Sequence, residues 1–310
     1  MSVEQFMKRT KARRADNTVK NRRVALRQYQ EYLADLEIKL TEVEPYHIED
    51  WIDSLLLDEY APRTIREKVY CVSAYYEFAK NRGLVDENPV EPVDLSDYSD
   101  TKINDETEVR YIDPEQYEKM LENANLRDEV LLRLLWDTGV RASEVIKITE
   151  SDIERDEREI AIETAKSRKL KSNKTRSLHY SRRTEATLRE WLDEGGRDSY
   201  LGVGDDDDEG HVLVTKQQPK MAVGRVTEIV DERAEDAGIQ EEVYEDQAGR
   251  SRRRVTAHTL RHSYAVHRVK NGMPLVYLQV LLGHSDIDIT RKYLHFRDDD
   301  IKDSEARYRP

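Results

Sequence analysis

Across the first 95 residues the apolar positions recur at helical intervals and never alternate as a strand would. Ala25, Tyr29, Tyr32, Leu33 and Leu36 fall at i, i+4, i+7, i+8 and i+11, one face of a helix that Asn17 is placed to cap. Ile48, Trp51, Ile52, Leu55 and Leu56 mark a second helix. A third has Pro62 near its first turn, carries Ile65, Val69, Val72, Tyr76 and Ala79, and stops at Gly83. A small helical bundle is predicted. The stretch "DENPVEPVDLSDYSDTKINDE" (86–106), with prolines and many Asp, Ser and Asn, then breaks the periodicity. The expected division is a helical domain over 1–95, a linker over 96–106 and a second domain over 107–310.

In the second part, Asp113 is a candidate N-cap with Pro114 at the first helical position, and "RDEVLLRLLWDTG" reads as an apolar helix ending at Gly139. Ile160 and Ile162 alternate as a half-buried strand, and "TRSLHYS" can pair with it across a lysine-rich turn. Residues 186–196 and 221–238 predict further helices, each ending at glycine. A helix from Ala257 to about Lys270, capped by Thr256, precedes a short one from Pro274 to Leu282 that Gly283 closes. The fold class expected is mainly α with a small β-hairpin, in two domains.

Composition narrows the function less than charge placement does. The 310 residues carry a net charge of −13, which at first argues against a polyanionic partner. The basic residues are clustered, however. From Lys8 to Arg27 there are nine Lys/Arg and one acid, and from Lys166 to Arg183 eight and none. "GRSRRR" adds four more at 250–254, while the acids collect in "GDDDDEG" (204–210), "EEVYEDQ" (241–247) and "RDDD" (297–300). Each run alone is usually a solvated face. Three basic blocks held apart from the acids fit a phosphate-contacting face, and the acid excess fits a protein adapted to a high-salt cytoplasm. The single cysteine, Cys71, excludes an internal disulfide framework and any Cys-based zinc site. No segment approaches the roughly 20 apolar residues that cross a bilayer, so a cytoplasmic protein is expected.

Candidate chemistry lies near the C-terminal end. In "HTLRHSYAVH" (258–267), His258 and Arg261 are i and i+3 and emerge on one helix face, opposite Leu260, Ala265, Val266 and Val269. Gly283 allows a sharp turn that presents His284 at a helix end, and Tyr293 follows nine residues later. His262 and His267 read as structural or surface residues. The Asp205 to Asp208 run is read as a solvated loop rather than a divalent-ion site, and no two-metal carboxylate cluster is evident.

Taken together, "DTGVRASEV" (137–145), "HTLRH" (258–262) and "LLGHSDIDITRKYLHF" (281–296) resemble the three signature segments of the tyrosine recombinase, or phage integrase, family. That resemblance implies a helical, SAM-like core-binding domain and a mixed α/β catalytic domain of the DNA breaking-rejoining fold. It implies a site-specific DNA recombinase or integrase working through a 3′-phosphotyrosyl intermediate, without metal, ATP or other cofactor. By the same resemblance Arg141 and Arg261 hold the phosphate, His258 is the candidate base, and His284 donates to a phosphate oxygen. Tyr293 is the nucleophile, and Glu144 orients the arginine or histidine. Paired guanidiniums suit that task, because the transition state gathers charge on the non-bridging oxygens.

The family also takes a general-acid lysine from the hairpin turn; here Lys166 is favoured, then Lys171, then Lys174. Arg13, Arg14, Arg22, Arg23, Lys169, Lys171, Lys174, Arg176, Arg252 and Arg253 are expected to contact double-stranded DNA. A homotetramer on two recombination sites is the expected assembly. A type IB topoisomerase, or a DNA-binding regulator of the same fold that has lost catalysis, remains the alternative.

Overall fold

The computed structural model describes residues 3–98, 109–163, 175–201, 208–245, 251–284 and 287–297. The chain forms two compact units, residues 1–108 and 109–310. The first is built from helices α1 (Val3–Arg13), α2 (Asp16–Asp35), α3 (Pro45–Leu57) and α4 (Pro62–Lys80). Its core is aromatic as well as aliphatic. Trp51 tilts against Tyr29 at 4.7 Å, the Tyr29 and Tyr76 hydroxyls are 3.3 Å apart, and Phe6 packs on Tyr75 and Phe78. Each fully buried Leu or Ile there contributes about 1.5–3 kcal/mol.

One expectation changes in this unit, and two features go beyond the sequence reading. The basic N-terminal stretch forms α1, which buries Phe6 and Thr10 and leaves its charges outside; one short apolar face sufficed because α2 and α4 complete it. Asn17 is no cap, since the helix begins at Asp16 after Ala15. Residues 86–95 pack with this unit: Val90 and Val93 enter the core, and buried Asn88 bonds to Ser73, Glu77 and the Val90 amide.

The second unit is centred on α6 (Leu126–Thr138), whose Val130, Leu131, Leu132, Leu134 and Leu135 are all buried. A helix apolar on so many sides belongs inside a domain. Before it comes α5 (Pro114–Leu121), where Asp113 accepts from the Gln116 amide and Pro114 opens the first turn. After it come α7 (Ala142–Val145) and an antiparallel sheet of β1 (Ile153–Glu154), β2 (Glu159–Glu163) and β3 (Thr175–His179), in the order β1-β2-β3. The register sets Ile160 opposite Leu178 and Ile162 opposite Arg176, so these four share the buried face.

Next, α8 (Arg182–Leu188) runs into a π turn over Arg189–Asp193, followed by α9 (Gly196–Leu201) and α10 (Val223–Asp236). The runs "EEVYEDQ" and "GRSRRR" contribute a second hairpin, β4 (Glu242–Glu245) with β5 (Ser251–Arg253), in which Glu242 lies opposite Arg253. Acids and bases far apart in composition are here paired across a ladder. Finally α11 (Ala257–Lys270) packs on α6, and α12 (Leu275–Leu282) and α13 (Asp288–Arg291) follow. Among the described residues, no helix is long and apolar enough to cross a membrane.

Candidate active site

Helix α11 carries the centre of the site. Its first turn is held by Thr256, whose side chain accepts from the Thr259 amide at 3.2 Å. Ser263 ties the same helix to the chain before α5, accepting from the Ile112 amide at 2.9 Å. With its inner face locked in the core by Leu260, Ala265, Val266 and Val269, α11 has little freedom to rotate.

Arg261 is 2% exposed and anchors three segments at once. One nitrogen donates to the Gly139 carbonyl at 2.7 Å, and another to the Leu282 carbonyl at 2.6 Å and His284 Nε2 at 3.1 Å. Both carbonyls lie at helix C-terminal ends, where unpaired acceptors and the negative end of the helix dipole favour a cation. Two left-handed glycines create those ends: Gly139 (φ 61°) closes α6 and Gly283 (φ 63°) closes α12. At Gly139 a Cβ would also meet the Tyr264 ring at 2.5 Å, so glycine is required for space as well as for φ. Burial, then repulsion by Arg141, lowers the Arg261 pKa to about 10, which still leaves it charged at neutral pH.

Arg141 precedes α7 and is held by Glu144. The carboxylate accepts from the Arg141 guanidinium at 3.0 Å and from the Arg141 amide at 2.9 Å. Arg176 reaches the same carboxylate from β3 with bonds of 3.2 and 2.7 Å. This corrects one expectation. Arg176, expected on a DNA-contacting surface, is instead 7% exposed and spends its charge on Glu144. Its phase with Leu178 on an alternating strand was the sequence signal for an inward side chain. Burial works to raise the Glu144 pKa, but the Arg176 bond and charge, then the Arg141 amide and charge, hold it below the usual value.

His284 bonds through both ring nitrogens, with Nδ1 2.9 Å from Thr290 Oγ1. A guanidinium cannot accept, so Nε2 must accept from Arg261, and the neutral ring carries its proton on Nδ1. His284 therefore holds Arg261. Burial first, then Arg261, Arg141, Lys292 and Arg176, bring its pKa to about 4. His258 is exposed, yet desolvation of its packed side and the charges of Lys292, Arg261 and Arg141 bring it to about 4 as well.

Tyr293 is 1% exposed, in a cluster with Tyr264, Val266, Leu278 and Leu282. Burial raises its phenol pKa above the ordinary value of 10, and Arg261 offsets part of that rise. Its hydroxyl lies 2.6 Å from Nδ1 of His262. The histidine that the sequence reading set aside is therefore the one on the phenol, while His258 stacks edgewise on His262 with ring centroids 4.2 Å apart. The signal for His262 was its place four residues after His258, on the same helix face. His267 is structural as read, with Nε2 donating to the Ile112 carbonyl at 3.0 Å.

The remaining candidates are spread more widely. Lys166, Lys169, Lys171 and Lys174 lie outside the described residues, as does the side chain of Arg252. Arg253 is paired with Glu235 at 2.7 Å and Asp231 at 3.5 Å, which satisfies much of its charge within the chain. In the first unit, Arg13, Arg14 and Arg22 line a cleft of about 340 Å³ with Arg9, and Arg23 is exposed beside them in sequence. Asp208 pairs bidentately with Arg197 at 2.6 and 2.8 Å. Among the described residues no cluster of His, Cys, Asp and Glu could hold a metal.

A helical unit joined to a mixed unit, with two arginines and two histidines gathered near a tyrosine, defines a class of DNA breaking-rejoining proteins. Residues 110–299 match the phage integrase family and residues 2–100 the phage integrase SAM-like domain; the chain belongs to the phage integrase family. The tyrosine recombinase XerD of Rickettsia conorii is 26% identical to it, over 99% of this chain and 97% of the relative. The tyrosine recombinase XerC of Roseiflexus castenholzii is also 26% identical, over 76% of this chain and 69% of the relative. Among solved structures, XerH recombinase bound to a palindromic difH substrate, a post-cleavage complex, matches with a TM-score of 0.70 at 17% identity, covering 98% of this chain and 83% of that one. A lambda integrase dimer bound to a COC′ core site matches with a TM-score of 0.67 at 16% identity, covering 96% and 95%. At those identities the likeness is one of fold.

Proposed function

We propose that this chain is a site-specific DNA recombinase that breaks and rejoins DNA through a 3′-phosphotyrosyl link made by Tyr293. The observation that carries the reading is Arg261. It bonds at once to Gly139 of the first signature segment and to Leu282 and His284 of the third, so stretches more than 100 residues apart meet around one guanidinium. A phosphodiester beside Arg261 and Arg141 would meet two planar forks of donors in a partly desolvated setting, where stabilisation of developing charge is strongest.

Attack by the Tyr293 oxygen forms the O–P bond as the bond to the 5′ oxygen breaks, and religation reverses both steps without ATP. As DNA binds, His284 releases Arg261 and, with its ring proton moved to Nε2, donates to a phosphate oxygen. Because Tyr293 is buried, the residues that cover it must move aside before its hydroxyl meets phosphorus. Lys166, with Lys171 and then Lys174 as the alternatives, supplies the proton to the leaving 5′ oxygen. The basic cleft lined by Arg13, Arg14 and Arg22 fits phosphate-backbone contact that carries no sequence information. The working assembly is a homotetramer on two DNA sites, in the cytoplasm, and the acid excess suits a salt-rich one.

The test is a nicked duplex built from the DNA repeats that flank the coding region. The wild-type protein should yield a covalent adduct on a denaturing gel, and Tyr293→Phe should yield none. No adduct with wild type on an authentic site would overturn the enzyme reading, whereas an adduct surviving in Tyr293→Phe would overturn only the nucleophile. Strand exchange between two sites, rather than relaxation of supercoils alone, distinguishes a recombinase from a topoisomerase. A 5′-thiol leaving group should restore cleavage to Lys166→Ala and not to variants defective in attack.

A further inference from the structure

We propose that His262 receives the phenolic proton of Tyr293 as its oxygen attacks phosphorus. This inference rests on the reading of Tyr293 as nucleophile. It divides the two histidines of the first two turns of α11: His262 serves the attacking oxygen, and the exposed His258 is the one open to the DNA phosphate.

The geometry is direct. The Tyr293 hydroxyl and His262 Nδ1 are 2.6 Å apart, and among the described residues Nδ1 is the hydroxyl's one hydrogen-bond partner. A buried O–H left without an acceptor is costly, so the phenol donates and Nδ1 accepts. The ring's own proton then sits on Nε2. Donor and acceptor are thus aligned for transfer before any substrate arrives, within the reach that general-base catalysis demands. His258 makes no hydrogen bond to the phenol; it meets the pair only through its ring contact with His262.

Electrostatics explain why the transfer waits for DNA. Facing His262 are His258 and Arg261 from its own helix, His284 from the turn after α12, and Lys292 and Tyr293 from the chain after α13. Burial and then the charges of His258, Lys292, Arg261 and His284 bring the His262 pKa down to about 2, so it stays neutral and able to accept. Burial keeps the phenol protonated, and Arg261 offsets only part of that effect. A phosphate entering beside Arg261 offsets the cations that repel an imidazolium. As the O–P bond forms, the phenolic oxygen becomes strongly acidic, and its proton passes to Nδ1 while the 5′ oxygen departs with a proton from the general-acid lysine. Religation returns the proton from His262 to the phenolic oxygen.

The experiment measures adduct formation on the nicked duplex for wild type, His262→Asn, His262→Ala and Tyr293→Phe, with a gel shift on the same duplex as the check of folding. Asparagine keeps an acceptor near the Nδ1 position but takes no proton. Both His262 variants should form adduct about 10²–10⁴-fold more slowly. Their rates should rise with hydroxide between pH 6 and pH 9 where the wild-type rate is flat, and a 5′-thiol leaving group should not restore them. If His262→Asn reacts within about threefold of wild type, the residue only positions the phenol and the proposal is wrong. Restoration by the 5′ thiol would overturn it too, by placing the defect at the leaving group.

A reading independent of these variants comes from ¹⁵N spectra of the wild-type protein, where Nδ1 of His262 should appear unprotonated and hydrogen-bonded, and should shift in Tyr293→Phe. An unchanged resonance would overturn the proposal. Adduct formation by Tyr293→Phe would instead remove the nucleophile reading itself.

Discussion

The two units place their polar groups differently. In the first, the largest buried side chains are Trp51, Tyr29 and Tyr76, and the buried polar residues are few: Thr10, Lys68 and Asn88. In the second, Arg127, Asp128, Glu144, Arg176, Arg197 and Arg261 are all buried. Burying charge costs several kcal/mol per ion unless partners and geometry are excellent, so such groups are weak evidence for stability. Their value in the second unit is positional. Arg176 holds Glu144, Glu144 holds Arg141, and Arg261 holds two helix ends and His284. The first unit needs only a face to present; the second needs guanidiniums held to a fraction of an ångström.

Stability in the second unit therefore follows charge, and in the first it follows volume. The largest effect belongs to Glu144→Ala, which strands Arg176 in the core. We expect a loss of about 3–5 kcal/mol, read from denaturant midpoints by the fluorescence of Trp136 and Trp191. Glu144→Ala combined with Arg176→Met should recover much of that stability and none of the cleavage activity. Trp51→Ala in the first unit should cost about 3–5 kcal/mol through a cavity, visible in circular dichroism, while exchange of the similar-sized Leu33→Met costs less than about 1.5 kcal/mol. An equally mild Glu144→Gln would break the comparison, since it too nearly keeps size.

A smaller effect is expected from Gly139→Ala, where a left-handed φ costs about 1–2 kcal/mol for a residue with a Cβ. Contact with Tyr264 adds to this, and cleavage should fall because the Gly139 carbonyl positions Arg261. The smallest is a pH effect. Because the folded Glu144 pKa lies below its unfolded value near 4.3, its contribution is complete above that value and is lost as pH falls through the folded pKa. The second unit's midpoint should therefore drop more steeply below about pH 4 in wild type than in Glu144→Gln, and equal slopes would remove the carboxylate from the account.

Much of this was legible in the sequence. The ends of α4, α5, α6, α11 and α12 follow from Pro62, Pro114, Gly139, Thr256 and Gly283, whose backbone preferences act locally. His258 and Arg261 were placed on one face by helical spacing alone. α1 was not legible, because its apolar face is short and only α2 and α4 give it a surface to cover. Arg176 belongs to a basic run that by composition reads as one surface, but strand alternation turns every second side chain inward and buries it.

What the sequence determined by itself is therefore what depends on near neighbours: helix periodicity, caps, left-handed glycines, the β2–β3 alternation, and the three segments that carry the reactive residue types. Tertiary structure alone decided which of those residues touch. It put Arg176 on Glu144, Arg261 on Gly139 and Leu282, and His262 rather than His258 on the Tyr293 hydroxyl. Those contacts join residues 21 to 122 positions apart in the chain. At such separations no local rule sets the distance, and packing of the helices and the sheet does.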